Sequence, residues 1–249
     1  MIMENLGWQT NDPLTSTGFE TDWFVIRQAG QKAPALPWAM EKLCRTYWYP
    51  LYAYVRRKGY DTHDAEDLTQ AFFTHLLERP WLRGVHPSKG KFRAFLLASI
   101  NHFLANEWRR AQTRKRGVGI RTFSINAADA EDCYRLEPSH DESPDKIFDH
   151  HWAMNVLHQA RTRLQHECFI TGKADLFEAM KEMLDGGKNP KTYGKLAAKL
   201  GMTAPAVKKA AQRLRQRYQD LIRAEISETV SSPAEVEEEL GHLFAALLS

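Results

Sequence analysis

The stretch DAEDLTQAFFTHLL, Asp64 to Leu77, sets Asp64, Glu66 and Asp67 just ahead of a run of apolar helix formers. Three carboxylates so close could hold a divalent metal, move a proton, or be gripped by cations of another protein. Metal binding reads poorly, because adjacent Glu66 and Asp67 diverge by ~100° on a helix and neither His63 nor His75 forms an HExxH-type pair with them. Acid–base catalysis lacks a nucleophile or an oxyanion donor nearby in the sequence. Acids at a helix start also gain ~0.3–1 kcal/mol each from the helix dipole, which accounts for Asp64 and Asp67. On a helical wheel Ala65, Leu68, Phe72 and Leu76 form the inward stripe. Glu66, Gln70, Phe73 and Leu77, at i, i+4, i+7 and i+11, form a second one. A core does not need that second stripe. With Phe73 and Leu77 half exposed beside carboxylates, it predicts a docking surface for a basic amphipathic partner helix.

Two further constellations carry donors suited to a polyanion. In TYGKLAAKLGMTAPAVKKAAQRLRQRY, Thr192 can cap a short helix whose Leu196, Ala197 and Leu200 face inward. Gly201 stops it, and Thr203 caps a second helix beginning Ala204-Pro205. That is the helix-turn-helix layout. Val207, Ala211, Leu214, Tyr218 and Leu221 share one stripe of the second helix, so Lys209, Gln212, Arg213 and Gln216 point outward with donors for base edges and phosphates. A basic surface helix in an ordinary bundle is the plain alternative. In SKGKFRAFLLASINHFLANEWRRAQTRKRG, Phe92, Leu96, Ile100, Phe103 and Leu104 make the buried stripe, and His102, Asn106 and Arg109 lie opposite. The helix runs out into Arg110, Arg114, Lys115 and Arg116. Cations interleaved with rings suit single-stranded nucleic acid, since each stacked base contributes ~1–3 kcal/mol. Trp108, at the edge of the apolar stripe, is the most available ring, whereas Phe92 and Phe95 read equally well as core. His150, His151, His158 and His166 stand at mixed spacings and read as ordinary helix residues.

The elements that must position these groups are helices. Apolar residues recur at helical spacing from Trp23 to Leu248 and strand signals are nearly absent, so the fold class is all-α. Helices are expected over Asp22–Ala29, Pro37–Arg57, Asp64–Glu78 and Lys91–Arg114, with a second set from near Asp145 to Glu228. Ser232, Pro233 and Glu235 open a last helix. Gly117 to Pro144 has no sustained periodicity and reads as a linker. The resulting domains are a loose lead-in over 1–18, a helical domain over 19–111, a flexible acidic linker over 112–149, a helix-turn-helix domain over 150–228 and an acidic amphipathic helix over 229–249.

Composition narrows the function classes. The net charge of +3 over 249 residues hides a sorting into blocks. Arg79 to Arg121 holds eleven Lys/Arg against Glu107 alone, and Lys188 to Arg223 holds ten against Asp220 alone. Asp129 to Asp149 is acidic, and after Arg223 only acids remain. Two basic modules separated by an acidic connector point to a polyanion touched in two places. The acidic tail is most simply solubilising, although such a segment can also shield a basic face in the free protein. No apolar run reaches the ~18 residues of a membrane span, and Cys44, Cys133 and Cys168 form no CxxC pair, which places the chain in the cytoplasm. No cofactor, metal or catalytic residue is expected.

Taken together, DAEDLTQAFFTHLL, FRAFLLASINHFLANEWRRAQTRKRG and the helix-turn-helix resemble bacterial RNA polymerase sigma factors of the sigma-70 family, extracytoplasmic-function type. LCRTYWYPLYAYVRRKGYDTHDAEDLTQAFF, KRGVG and ETVSSPAEVEEELGHLFAALL are similar to a large-chained subgroup familiar from planctomycete-like bacteria. The resemblance runs from about Phe19 to Leu248. It implies that the helix with Asp64, Glu66, Asp67, Leu68, Gln70, Phe73 and Leu77 docks on the coiled-coil clamp helices of the polymerase β′ subunit, with β as a further contact. It implies that Ser88, Lys89, Lys91, Asn101, His102, Trp108, Arg109, Arg110, Arg114, Lys115 and Arg116 hold the melted strand of the minus-ten element. Thr203, Ala204, Pro205, Lys208, Lys209, Gln212, Arg213 and Gln216 would meet the minus-thirty-five duplex. Promoter DNA and core RNA polymerase are then the partners, with room for an anti-sigma factor and no role for a membrane.

The chain departs from the family pattern in three places: an amide at Asn106 where an acid is common, Pro205 early in the recognition helix, and an insertion from His166 to Pro190. An autonomous helix-turn-helix regulator is the main rival reading. It leaves the first basic block and the stripe around Phe73 without a role. A metal enzyme built on Asp64, Glu66 and Asp67 is the second rival, and it requires those carboxylates to converge.

Overall fold

The computed structural model describes residues 37–78, 91–113, 134, 143–184, 190–230 and 232–248. The expected lead-in, the helix over Asp22–Ala29 and nearly all of the linker lie outside them. Among the described residues the chain is all helical: α1 Pro37–Arg57, α2 Thr62–Glu78, α3 Phe92–Thr113, α4 Pro144–Ile170, α5 Ala174–Met180, a 3-10 turn Lys181–Met183, α6 Pro190–Leu200, α7 Ala204–Ser227 and α8 Pro233–Leu248. The all-α expectation holds, and most helix bounds fall within two residues of those read from periodicity.

Helix α1 is covered on every side. Leu51, Tyr52, Ala53, Tyr54 and Val55 are all buried, which one partner surface could not achieve for five consecutive helical residues. α2 and the long α4 both pack against α1. Gly59, at φ 96°, makes the turn from α1 into α2, a left-handed conformation that a side chain would strain. α7 and α8 pack on the other flanks of α4, α6 packs on α7, and α3 joins α2. Apolar side chains from α1 through α8 form one cluster, so the two helical sets meet in a shared core. α4 opens at Pro144 with Ser143 as N-cap, and Ile147 and Phe148 are core residues. The second helical set thus starts one residue ahead of the start expected near Asp145, and these apolar residues open the α1–α4 seam.

One contact in that seam follows directly from the sequence. Pro50 lies inside α1 and has no N–H, so the Thr46 carbonyl loses its helical donor. Asn155 of α4 replaces it: its Nδ2 donates to the Thr46 carbonyl at 2.7 Å and to the Arg45 carbonyl at 2.8 Å. Gln159 Nε2 adds a bond to Thr46 Oγ1 at 3.0 Å, and Tyr49 meets His151 edge-on at 4.7 Å. Asn155→Ala is expected to cost about 1–3 kcal/mol, read as a shift of the urea midpoint, because it leaves a part-buried acceptor without its donor.

Candidate functional site

The α2 acids are held as a helix start should hold them. Asp61 Oδ1 accepts from the Asp64 amide at 2.8 Å, which leaves the Asp64 side chain exposed. Glu66, Asp67 and Gln70 are half-buried on the outer face, Leu68 packs against the core as expected, and Gln70 Nε2 donates to Glu66 Oε1 at 3.1 Å. No group of three or more His, Cys, Asp or Glu among the described residues is placed to hold a metal ion. Phe73 corrects the expected stripe. It is 5% exposed, with Phe72 edge-on to it at 6.0 Å and Phe72 in turn edge-on to Phe103 of α3. Covered by neighbours on more than one side, α2 buries a wider arc than a single inward stripe. The outer face of α2 is acidic and amide-bearing rather than phenylalanine-ridged, and the Leu77 side chain lies outside the described residues.

Helix α3 buries the expected stripe of Phe92, Leu96, Ile100, Phe103 and Leu104. Asn101, His102, Trp108, Arg109 and Arg110 are exposed along the other side. Trp108 is 59% exposed, a large ring left open to solvent. Asn101 Oδ1 accepts from the Tyr54 hydroxyl at 2.7 Å, so it is tethered to α1. Asn106 Oδ1 accepts from Arg109 Nη1 at 3.0 Å, and Glu107 Oε1 from Arg110 Nη1 at 2.6 Å. An open groove of about 490 Å³ runs beside this face, lined by Phe72, His75, Phe95, His102 and Arg110 among others. Ser88, Lys89, Arg114, Lys115 and Arg116 lie outside the described residues.

The helix-turn-helix is formed by α6 and α7. Gly201, at φ 62°, ends α6, and the Met202 amide reaches back to the Ala197 carbonyl at 2.9 Å. Thr203 caps α7, with Oγ1 accepting from the Ala206 amide at 3.4 Å. Val207, Ala211, Leu214, Tyr218 and Leu221 are buried as expected. Ala204, Pro205, Lys208, Lys209, Gln212, Arg213 and Gln216 are exposed on the other face with Thr203, although Gln216 donates to Asp220 at 3.1 Å. Thr192 does not cap α6: the helix starts at Pro190, whose fixed φ suits a first helical position. The insertion from His166 to Pro190 has a structural role. It contributes Phe177, Met180 and Met183 to the core, and the Met183 carbonyl accepts from Arg215 Nε at 2.9 Å. Arg217 forks onto Glu167 with two bonds of 2.8 Å.

Sequence reasoning missed a buried ionic cluster at the start of α3. Arg93 is 8% exposed, Glu239 of α8 only 1%. Arg93 Nε and Nη2 each reach a Glu239 oxygen at 3.3 Å, and Nη1 bonds Asp149 of α4. The guanidinium also lies over the Trp152 ring, 5.0 Å from its centroid. Lys91 adds contacts of 2.9 Å to Glu239 and 3.2 Å to Glu238. Burial pushes the Glu239 carboxyl up, but Arg93 and Lys91 outweigh it and hold the group below the usual glutamate value. Asp149 goes the other way: burial, the largest influence, and the neighbouring Glu239 charge raise it against the pull of Arg93. The signal existed in α8: Glu239 stands three residues after Val236 and four before Leu243, on the apolar stripe.

The matched segment follows the same elements. Residues 43–114 match the family model Sigma-70 region 2. This region 2-like segment begins in α1 and ends just past α3. It therefore contains both the acidic outer face of α2 and the exposed Trp108 and arginines of α3. The helix-turn-helix lies outside it. No curated protein and no solved structure matches the chain. No helix among the described residues is long and apolar enough to cross a membrane.

Proposed function

We propose that the chain is a sigma factor of the sigma-70 family, extracytoplasmic-function type and planctomycete-like subgroup, which binds core RNA polymerase and directs promoter recognition and melting. The observation that carries this reading is the region 2-like match spanning the acidic α2 face and the open Trp108 face together. Asp64, Glu66, Asp67, Leu68 and Gln70 dock on the β′ clamp helices, where their carboxylates meet cations of the partner. Asn101, His102, Trp108, Arg109 and Arg110, with Lys91, Ser88, Lys89 and Arg114 to Arg116, hold the melted minus-ten strand by stacking and phosphate contact. Lys208, Lys209, Gln212, Arg213 and Gln216 enter the major groove at the minus-thirty-five element, with Thr203 to Pro205 at the helix start. The cytoplasm, a contact with β and an optional anti-sigma factor belong to the same proposal. The chain supplies no catalytic group, since RNA synthesis is the polymerase's chemistry.

The test is transcription reconstituted with core polymerase and a promoter library. Glu66→Lys with Asp67→Lys is expected to abolish both transcription and co-purification with core polymerase while leaving the melting temperature within a few degrees, since both side chains lie on the outer face. Unchanged transcription would remove α2 from the docking surface. An autonomous helix-turn-helix regulator remains the second reading, favoured by the fact that α6 and α7 form a complete unit outside the matched segment. It predicts tight operator binding without polymerase and no association with core enzyme.

A further inference from the structure

The three successive acids of α8 divide between two helices. Glu237 Oε1 accepts from Arg223 of α7 at 3.3 Å, Glu238 meets Lys91 at the mouth of α3, and Glu239 is sealed against Arg93 and Lys91. Successive helical residues diverge by ~100°, so one turn of α8 can reach both halves of the molecule. Two of the cations it occupies are Lys91, the residue just ahead of α3, and Arg93, in the first turn of the helix that carries Trp108. A carboxylate on a lysine or a forked arginine occupies the same donors that a phosphate oxygen would. The contacts run from α8 to both α3 and α7, so the helix-turn-helix is tied to the strand-binding face while they last.

We propose that α8 is an internal brake: its carboxylates stand in for phosphates on Lys91 and Arg93, and the isolated chain binds single-stranded DNA weakly until α8 lets go. The proposal rests on the reading of α3 as a strand-binding helix. Glu238 and Lys91 form the accessible end of the device, Glu239 and Arg93 its sealed end, and Asp149 keeps Arg93 paired when α8 leaves. Nucleic acid opens it by competing for the same cations.

The experiment uses the full chain without polymerase and a fluorescent single strand of about a dozen nucleotides, read by anisotropy at fixed salt, with hydrogen exchange of α8 followed in parallel. Glu238→Lys with Glu239→Gln is expected to speed α8 amide exchange and tighten strand binding at least tenfold. Glu238→Lys alone touches only the exposed end and is expected to give roughly threefold, which keeps the test alive should the double variant fold poorly. The same charge change placed on α5, Asp175→Lys with Glu178→Gln, is expected to leave both readouts at the parent value. Affinity unchanged in the α8 variants, or tightened equally by the α5 control, would overturn the brake. The transcription test with Glu66→Lys and Asp67→Lys does not involve α8, so it decides the sigma-factor reading independently.

Discussion

Replacing Arg93 with alanine should destabilise the fold by about 3–5 kcal/mol, the usual cost of leaving a buried charge without its partner. Glu239 is almost fully enclosed and two of its three cation contacts come from the Arg93 fork, so removing that fork leaves a carboxylate with only Lys91 beside it. Asp149 loses its guanidinium in the same step. At about 2–4 °C per kcal/mol for a chain of this size, the melting temperature should fall by roughly 10 °C. Arg93→Met combined with Glu239→Leu and Asp149→Asn should recover most of that loss, because the enclosed carboxylates no longer lack a partner. A single variant that melts like the parent protein would show that the cluster is solvated rather than sealed.

Phe73→Ala is the second large effect, and its sign separates a core residue from a docking residue. Buried between α2 and its neighbours, the ring should cost about 3–5 kcal/mol on removal, through lost burial and the cavity left behind. A half-exposed docking residue would instead melt normally and lose only polymerase binding. Thermal denaturation and co-purification on the same sample distinguish the two. The expected pattern is a large fall in melting temperature, with polymerase binding retained at temperatures where the variant is still folded. Glu66→Lys with Asp67→Lys should show the reverse.

Much of the fold could be read from residue order because the local signals agree with one another. Pro37–Arg57, the Gly201 stop and the Thr203 cap stand where glycine, proline and capping chemistry place them. The exposed faces of α3 and α7 also follow from periodicity, since each helix has one dominant buried stripe. Periodicity falls short where burial depends on how many neighbours a helix has. A wheel places Phe73 on a separate face of α2, but cannot say that a further neighbour covers that face. Arg93 counts as one more cation in a basic block until α4 and α8 close over it. The acids that do so lie 56 and 146 residues away, and no local pattern carries that pairing. The insertion after His166 has the same explanation: Phe177 and Met180 are an ordinary apolar pair until α4 and α6 supply the surface they fill.

On the proposed reading of α7 as a duplex-binding helix, the inward arginines of the second unit change what ionic strength should do to that binding. Of the ten cations from Lys188 to Arg223, Arg215 is committed to the Met183 carbonyl and Arg217 to Glu167. Each phosphate neutralised adds about 0.9 to the steepness with which the logarithm of affinity falls against the logarithm of added salt. Counting basic residues therefore overstates that steepness, since these two donors hold helices together and release no counterion when DNA arrives.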